Sequence, residues 1–363
     1  MKDNRYRLKD EEVELIEQYR AKTIDNINDN TLLDAHLSER GIHKDDVVSV
    51  KHWQAANGEY RFSIVTKDND KLNSDYVVGK LKEFLEKRAP KYDRVNYSNY
   101  SKTGHLLVIN PADIHIGKYC AVDETGEQYD RMIAVSRVVE GIEGLIEKAK
   151  GFNVERILFC IGNDVLHVDN VYNKTTKGTQ QDVDGMWWEH FEIALELYVR
   201  CVERLREIAP VDCVHSMSNH DYQSGFHLAQ ALKAWFRKDK SVTVDASARH
   251  RKYYEYGNNL IGLEHGDGAK MDNLPLIMAQ EKPEEWGRAK YRYWYLHHLH
   301  HKIKYKWRDA KDFIGVTVEY LRSPSAADSW HARKGYVGTP TAVEAFVHSS
   351  DFGQVARLTH FFI

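Results

Sequence analysis

From His105 onward the sequence alternates short apolar runs with longer amphipathic ones, and this rhythm restricts the fold more than any other feature of the chain. Apolar runs at residues 106–110, 156–161, 211–217 and 242–246 have the length of buried strands. Between them, residues 129–150, 184–208 and 227–238 repeat apolar positions at helical spacing. Strands alternating with helices predict an α/β layered domain. The last third is richer in strands, at residues 252–263, 291–296, 313–321, 342–348 and 355–362, which predicts a second sheet packed on the first.

Residues 1–100 have a different character. Residues 11–22 and 31–40 read as short helices, the second closed by Gly41. Residues 47–54 and 59–66 are strand-like and flank Asn57-Gly58, a turn dipeptide that tolerates positive φ at both positions. A helix carrying Tyr76, Val77, Leu81, Phe84 and Leu85 follows, and residues 88–103 read as a linker. At about 150 residues per domain, the 363-residue chain holds roughly two domains. These are predicted as a small N-terminal α+β domain at residues 1–100 and a larger domain at 101–363.

Composition excludes several classes. With 42% hydrophobic and 29% charged residues, the chain is not largely disordered. No apolar run approaches the ~20 residues that span a bilayer, so no membrane association is expected. The charged start MKDNRYRLKDEE lacks the apolar core of a secretory signal, and a cytoplasmic location is expected. The four cysteines, Cys120, Cys160, Cys201 and Cys213, form no C-x-x-C pair and read as buried thiols. A net charge of -3 neither requires nor excludes a nucleic-acid partner, because a local basic patch survives overall neutrality.

Histidine is the outlier. Of 19 in the chain, thirteen fall between His105 and His301, and such enrichment asks for metal or proton chemistry. Several sit in short polar loops, each directly after a strand candidate, where α/β sheets place their sites. In order, these loops are Asp113-Ile114-His115, Gly162-Asn163-Asp164-Val165-Leu166-His167, Ser218-Asn219-His220-Asp221, Glu264-His265-Gly266-Asp267 and His297-His298-Leu299-His300-His301.

This series, D-x-H, a GD-like loop, a GNH(D)-like loop, a lone histidine and H-x-H, resembles the signature of the calcineurin-like metallophosphoesterases over roughly residues 105–301. The resemblance implies a four-layer β-sandwich flanked by helices that holds two metal ions. Carried over residue by residue, it places Asp113, His115 and His300 on the first metal, Asp164 as the bridge, and Asn219, His265 and His298 on the second. It gives His220 the scissile phosphate and the leaving group. His167 stands where many members have Asp and the double-strand-break repair nucleases have His.

The donor chemistry agrees independently. Imidazoles, carboxylates and one amide oxygen, without thiolate, suit Mn²⁺ first, with Fe²⁺, Zn²⁺ or Mg²⁺ as alternatives. Such ions lower the pKa of bound water towards ~7, and a hydroxide held between two of them attacks phosphorus in line with the leaving oxygen. Three departures from the pattern stand out. Asn163 precedes the bridging Asp164, Ser218 replaces Gly before Asn219, and His297 replaces Gly before His298. Alternation on an extended backbone puts His298 and His300 on one side, and His297 and His301 on the other.

Ten other histidines, His36, His43, His52, His105, His190, His215, His227, His250, His348 and His360, read as structural. Trp187-Trp188 and the aromatic stretch 291–296 read as core or interface residues. In the loop 322–336, Arg322, Arg333 and Lys334 either grip phosphates or lie on a solvated surface. The expected function is a two-metal phosphodiester hydrolase acting on DNA, an exo- or endonuclease similar in layout to phage and prophage phosphoesterases, with a second copy or a partner subunit compatible with it. The alternatives are hydrolysis of a small nucleotide or phosphoprotein, and a non-catalytic metal-stabilised binding module. The N-terminal helices offer a DNA- or protein-binding module.

Overall fold

A computed structural model describes residues 33–34, 37–38, 42–54, 60–66, 89–97, 104–298, 310–335 and 340–362. The chain divides into two compact units, Met1–Val77 and Val78–Ile363. In the first, strands β1 (Val47–Gln54) and β2 (Tyr60–Thr66) form an antiparallel hairpin pairing Val50 with Ile64 and Gln54 with Tyr60. The turn at Asn57-Gly58, the helix expected at 11–22, most of the one at 31–40 and the one carrying Tyr76 to Leu85 lie outside the described residues.

The larger unit runs β3 (His105–Ile109), α1 (Val122–Thr125), α2 (Arg131–Ala149), β4 (Val154–Gly162), α3 (Trp187–Arg206), β5 (Val211–Ser216), α4 (Tyr222–Trp235) and β6 (Val242–Asp245). It continues through β7 (Lys252–Tyr256), β8 (Asn259–Leu263), α5 (Leu274–Glu281), α6 (Pro283–Arg288) and β9 (Tyr291–Leu296). After β10 (Ala310–Phe313), β11 (Val316–Tyr320) and α7 (Ser329–Arg333), it closes with β12 (Ala342–Ser349) and β13 (Gly353–Phe361). A six-stranded sheet has the order β13-β12-β3-β4-β5-β6, and its strands β3 to β6 are parallel. A five-stranded sheet has the order β10-β11-β9-β8-β7.

Alternation along each strand builds the layers, because successive side chains point to opposite faces. Leu107, Ile109, Ile157, Phe159 and Cys213 pack against Ile142 and Leu145 of α2, Leu197 and Tyr198 of α3 and Leu232 of α4. The other face of the same strands, Leu106, Val108, Leu158, Cys160 and Val214, meets Ile261, Leu263, Tyr295 and Leu321 of the second sheet. Behind that sheet, Leu260, Trp294, Leu296 and Val318 bury Leu274 and Met278 of α5. The result is a mixed α/β unit of four layers, helix, sheet, sheet, helix. The stretch 291–296 is core as expected, with Trp294 and Tyr295 fully buried.

The structure adds detail to several local expectations. The strand-rich stretches 252–263 and 313–321 are divided by turns, β7 from β8 at Gly257-Asn258 and β10 from β11 at Ile314-Gly315. Helix α4 starts at Tyr222, five residues before the apolar pattern suggests, because the Asp169 carboxylate accepts the Gln223 and Ser224 backbone N–H groups and caps its first turn. Of the two roles expected for Trp187 and Trp188, core or interface, the first does not hold, since both project 45% exposed from the first turn of α3. Finally, the stretch expected as a linker is anchored at Tyr92 and Tyr97, the latter donating to Arg206 O at 2.7 Å. Tyr92 stacks on Phe236 at 5.2 Å, accepts from Trp235 Nε1 at 2.7 Å and donates to Glu203 at 2.6 Å. Among the described residues, no helix is long and apolar enough to cross a membrane.

His348 on β12 ties the two sheets together. It is fully buried, with Nε2 2.8 Å from the Tyr295 hydroxyl and Nδ1 3.3 Å from Asn259 Oδ1, so a neutral ring protonated on Nδ1 satisfies both. Burial pushes its pKa from 6.5 down to about 3. The unfolded chain therefore binds the proton first as the pH falls, and stability is lost from about 6.5 downward. Between pH 7 and pH 5 this one residue should remove about 2 kcal/mol. Urea unfolding at the two pH values checks it: His348→Gln should be less stable at neutral pH but lose less on acidification.

Candidate metal centre

The loops that leave β3, β4, β5, β8 and β9 meet at one edge of the sandwich. The first two are zipped together by Asp113 N–H to Asn163 O (2.8 Å), His115 N–H to Asp164 O (2.9 Å), Ile116 N–H to Val165 O (2.7 Å) and His167 N–H to Ile116 O (3.1 Å). The third is tied in by Ser218, whose hydroxyl accepts from Asp164 N–H at 2.8 Å and donates to Asp221 Oδ1 at 2.6 Å. The other Asp221 oxygen accepts from Leu166 N–H at 2.9 Å. Loops from the second sheet close the ring through His297 N–H to His265 O (2.9 Å) and His298 N–H to Asp113 Oδ2 (3.1 Å).

Holding this shape strains the backbone. Among the described residues, six non-glycine residues have positive φ, and five of them are Asp113 (54°), His115 (52°), Asn163 (53°), Asp164 (59°) and His298 (72°). The left-handed region costs an L-residue roughly 1–2 kcal/mol, least for Asn and Asp. Such strain gathers where geometry serves function. Gly162, just before Asn163, has φ 83°, and a Cβ there would sit 2.3 Å from Ser216 O, so only glycine lets β4 turn this closely beside β5.

Three groups of donors lie within metal-binding reach, their atoms within 4.8 Å of one another in each: Asp113, His115 and Asp164; Asp164, His265 and His298; and His115, His167 and His220. The first two share Asp164 and the first and third share His115. Asn219 joins them, its Oδ1 2.9 Å from His265 Nε2, while the same nitrogen lies 3.0 Å from Asp164 Oδ2. One imidazole N–H cannot serve both oxygens well, and Asp164 Oδ2 has no aligned hydrogen bond. His167 Nδ1 and His115 Nδ1 approach to 3.3 Å, and the His115 and His220 rings lie 4.6 Å apart. A converging set of imidazole nitrogens and carboxylate oxygens with an unmatched acceptor fits divalent cations.

The electrostatics follow from burial. Asp113, Asp164 and His265 are essentially inaccessible to water. Burial pushes the Asp113 carboxyl up to about 7, and the neighbouring Asp164 adds to the shift. Burial also works to raise Asp164, but His265 and His220 hold it well below the usual carboxylate range. Burial opposes charge on His265, yet Asp164 lifts it to about 9. His167 is pushed well below 6.5 by burial and by His220, so its ring is neutral. His220 donates through Nδ1–H to His167 O (2.9 Å), and its backbone N–H donates to Asp164 Oδ1 at 2.8 Å.

Of the nine residues singled out from the sequence, eight (Asp113, His115, Asp164, His167, Asn219, His220, His265 and His298) come together here, and His300 lies outside the described residues. The alternation argument for the histidine run does not apply at His298, because β9 ends at Leu296 and the left-handed turn at His298 sets its ring direction. Its ring centroid is 5.0 Å from that of His265.

Sequence reasoning missed Lys118. It is buried, and its Nζ reaches Ala326 O (2.6 Å), Ser325 Oγ (3.1 Å) and Asp328 (3.4 Å). With Ser323 Oγ donating to Asp113 O at 2.8 Å, it fastens residues 323–326 as a buried wall of the site. The loop is therefore not solvated at its start, although Arg333 and Lys334 are exposed. Its only sequence signal is a lysine three residues after His115.

No protein-family model matches the sequence, and none of the curated proteins does. Among solved structures, a single mutant of Vps29 from Entamoeba histolytica aligns at 12% identity and TM-score 0.28, covering 71% of this chain and 99% of its own. A double mutant of the same protein aligns with the same identity and coverage at TM-score 0.27. Likeness at these scores is too slight to bear on fold or chemistry.

Ser218→Ala tests the scaffold. It leaves the Asp164 N–H and a buried Asp221 oxygen without partners, and should cost about 1–3 kcal/mol in chemical denaturation. Weaker Mn²⁺ binding by calorimetry should accompany the loss.

Proposed function

We propose that this chain is a metal-dependent phosphodiester hydrolase of the calcineurin-like type, acting on DNA. The observation that carries the reading is the pair of donor groups sharing Asp164, with His220 beside them and not needed to complete either. Asp113, His115 and Asp164 would hold one divalent ion, with His300 as the further ligand the resemblance implies. Asp164, Asn219, His265 and His298 would hold the second. Two such ions activate water and polarise a phosphoryl group when bound.

The chain's own residues supply the rest. His220 is anchored through Nδ1 at His167 O, which leaves Nε2 to contact the scissile phosphate and protonate the departing oxygen. Asp164 fixes His220 from the other side by accepting its backbone N–H. His167, neutral and stacked against His220 at 5.3 Å, keeps that ring oriented. The buried wall 323–326 excludes water behind Asp113. The choice of DNA rests on His167 beside His115, the position at which the resemblance to double-strand-break repair nucleases is carried.

Mn²⁺-dependent turnover of an aryl phosphodiester, then of labelled single- and double-stranded DNA, tests this. Cleavage of the aryl ester with inert DNA removes the nuclease reading, and inactivity on every substrate with Mn²⁺ bound favours a binding module. His220→Ala should lower turnover by ~10²–10⁴ while Mn²⁺ binding persists. Asp164→Ala should lose both, and two tightly held ions in that variant by elemental analysis would show the shared role of Asp164 to be wrong.

A further inference from the structure

The strand alternation that builds the apolar layer between the two sheets continues past it, into polar residues. On the six-stranded sheet, Leu106 and Val108 are followed on the same face by Asn110, and Val214 by Ser216. On the five-stranded sheet, Ile261 and Leu263 are followed by His265, and Tyr295 by His297. The backbone link from His297 N–H to His265 O keeps the last two side by side. All four residues are buried. They form a polar floor at the ends of the strands that lead into the metal-centre loops, with β4 between Asn110 and Ser216 and with His265 belonging to the centre itself.

Six atoms of this floor have no hydrogen-bond partner: Asn110 Oδ1 and Nδ2, Ser216 Oγ, His265 Nδ1, and both ring nitrogens of His297. Leaving a buried polar group unpaired forfeits the hydrogen bonds it made to water in the unfolded chain. Six together would rival the whole stability of a typical domain. A dry floor is therefore untenable. Proteins solve this with buried water, each molecule making about three hydrogen bonds. The donor set suits water, because amide, hydroxyl and imidazole groups offer both donors and acceptors to it.

We infer that ordered water molecules occupy this floor and orient His265 for its role above. This orienting role rests on the metal-centre reading. If His265 binds through Nε2, its Nδ1 carries the proton and must donate it, as metal-ligating histidines almost always do to a carboxylate, carbonyl or water. Here no protein acceptor meets it. Waters held among the floor groups supply that acceptor, so Asn110 and His297 are positioning residues acting through them. The fully buried His297 in the histidine run thereby has a task distinct from that of its neighbour His298.

The test has two arms. A high-resolution crystal structure of the metal-free protein should show water bonded to Asn110, Ser216, His297 and His265 Nδ1; side chains that instead pair directly with one another, with no density between them, overturn the inference. In calorimetry with Mn²⁺, His297→Phe and Asn110→Leu should bind about 10–100-fold more weakly while keeping the wild-type circular dichroism. His297→Gln, which retains a donor and an acceptor, should recover most of the affinity. Folded variants with unchanged affinity remove the orienting role. Should wild-type protein fail to bind Mn²⁺ at all, the metal-centre reading and the orienting role fall together, while the crystal structure still decides for or against the water.

Discussion

The larger unit is organised around two carboxylates, Asp113 and Asp164, that are both shielded from water and close enough for Asp164 to raise the affinity of Asp113 for a proton. Isolated charges in such a place carry a desolvation penalty of several kcal/mol each, so a buried pair of acids persists only with positive charge set against it. The surrounding loops supply that charge in the form of imidazoles. His265 faces Asp164 at 3.0 Å, His220 lies beside it, and His298 donates its backbone N–H to Asp113. The same atoms that balance the acids as proton carriers are, once deprotonated, ligands for a divalent cation.

Bringing these groups together demands both sheets. The parallel ladder of β3, β4 and β5 delivers Asp113, His115, Asp164 and Asn219 to one edge, and the second sheet delivers His265 and His298 to the same edge. Neither sheet alone holds a complete donor group that includes both Asp164 and His265. The left-handed backbone at Asp113, His115, Asn163, Asp164 and His298 follows from this crowding, and the rigid apolar layers on either side of the six-stranded sheet keep it in place. Behind the ligands a second set of residues, Ser218, Asp221, Ser323 and Lys118, holds the loops rather than the ligand atoms themselves.

Much of this was legible in the residues because the relevant signals are local. A strand announces itself by an apolar run, and a ligand by its place just after one, so β3, β4, β5 and the loops that follow them could be read directly. What was not legible was of two kinds. Some turns, such as Ile314-Gly315, lie unmarked within strand-rich stretches, because an apolar turn residue resembles the strand around it. The start of α4 was hidden because the cap that defines it, Asp169, lies more than fifty residues away in the chain. Lys118 and Ser218 fall in the same class: each acts through a partner that only folding brings near.

The sequence by itself determined the alternation of strands and helices, the order of the five polar loops and the donor types available to a cation, since all of these depend on neighbours a few residues apart. The tertiary structure decided which donors share an acid, that Asp164 belongs to two groups, that His298 turns out of the strand alternation, and that a buried lysine fastens the loop behind Asp113. Those facts depend on distances between residues far apart in the chain, and such distances are set by how two sheets pack, which no local pattern encodes.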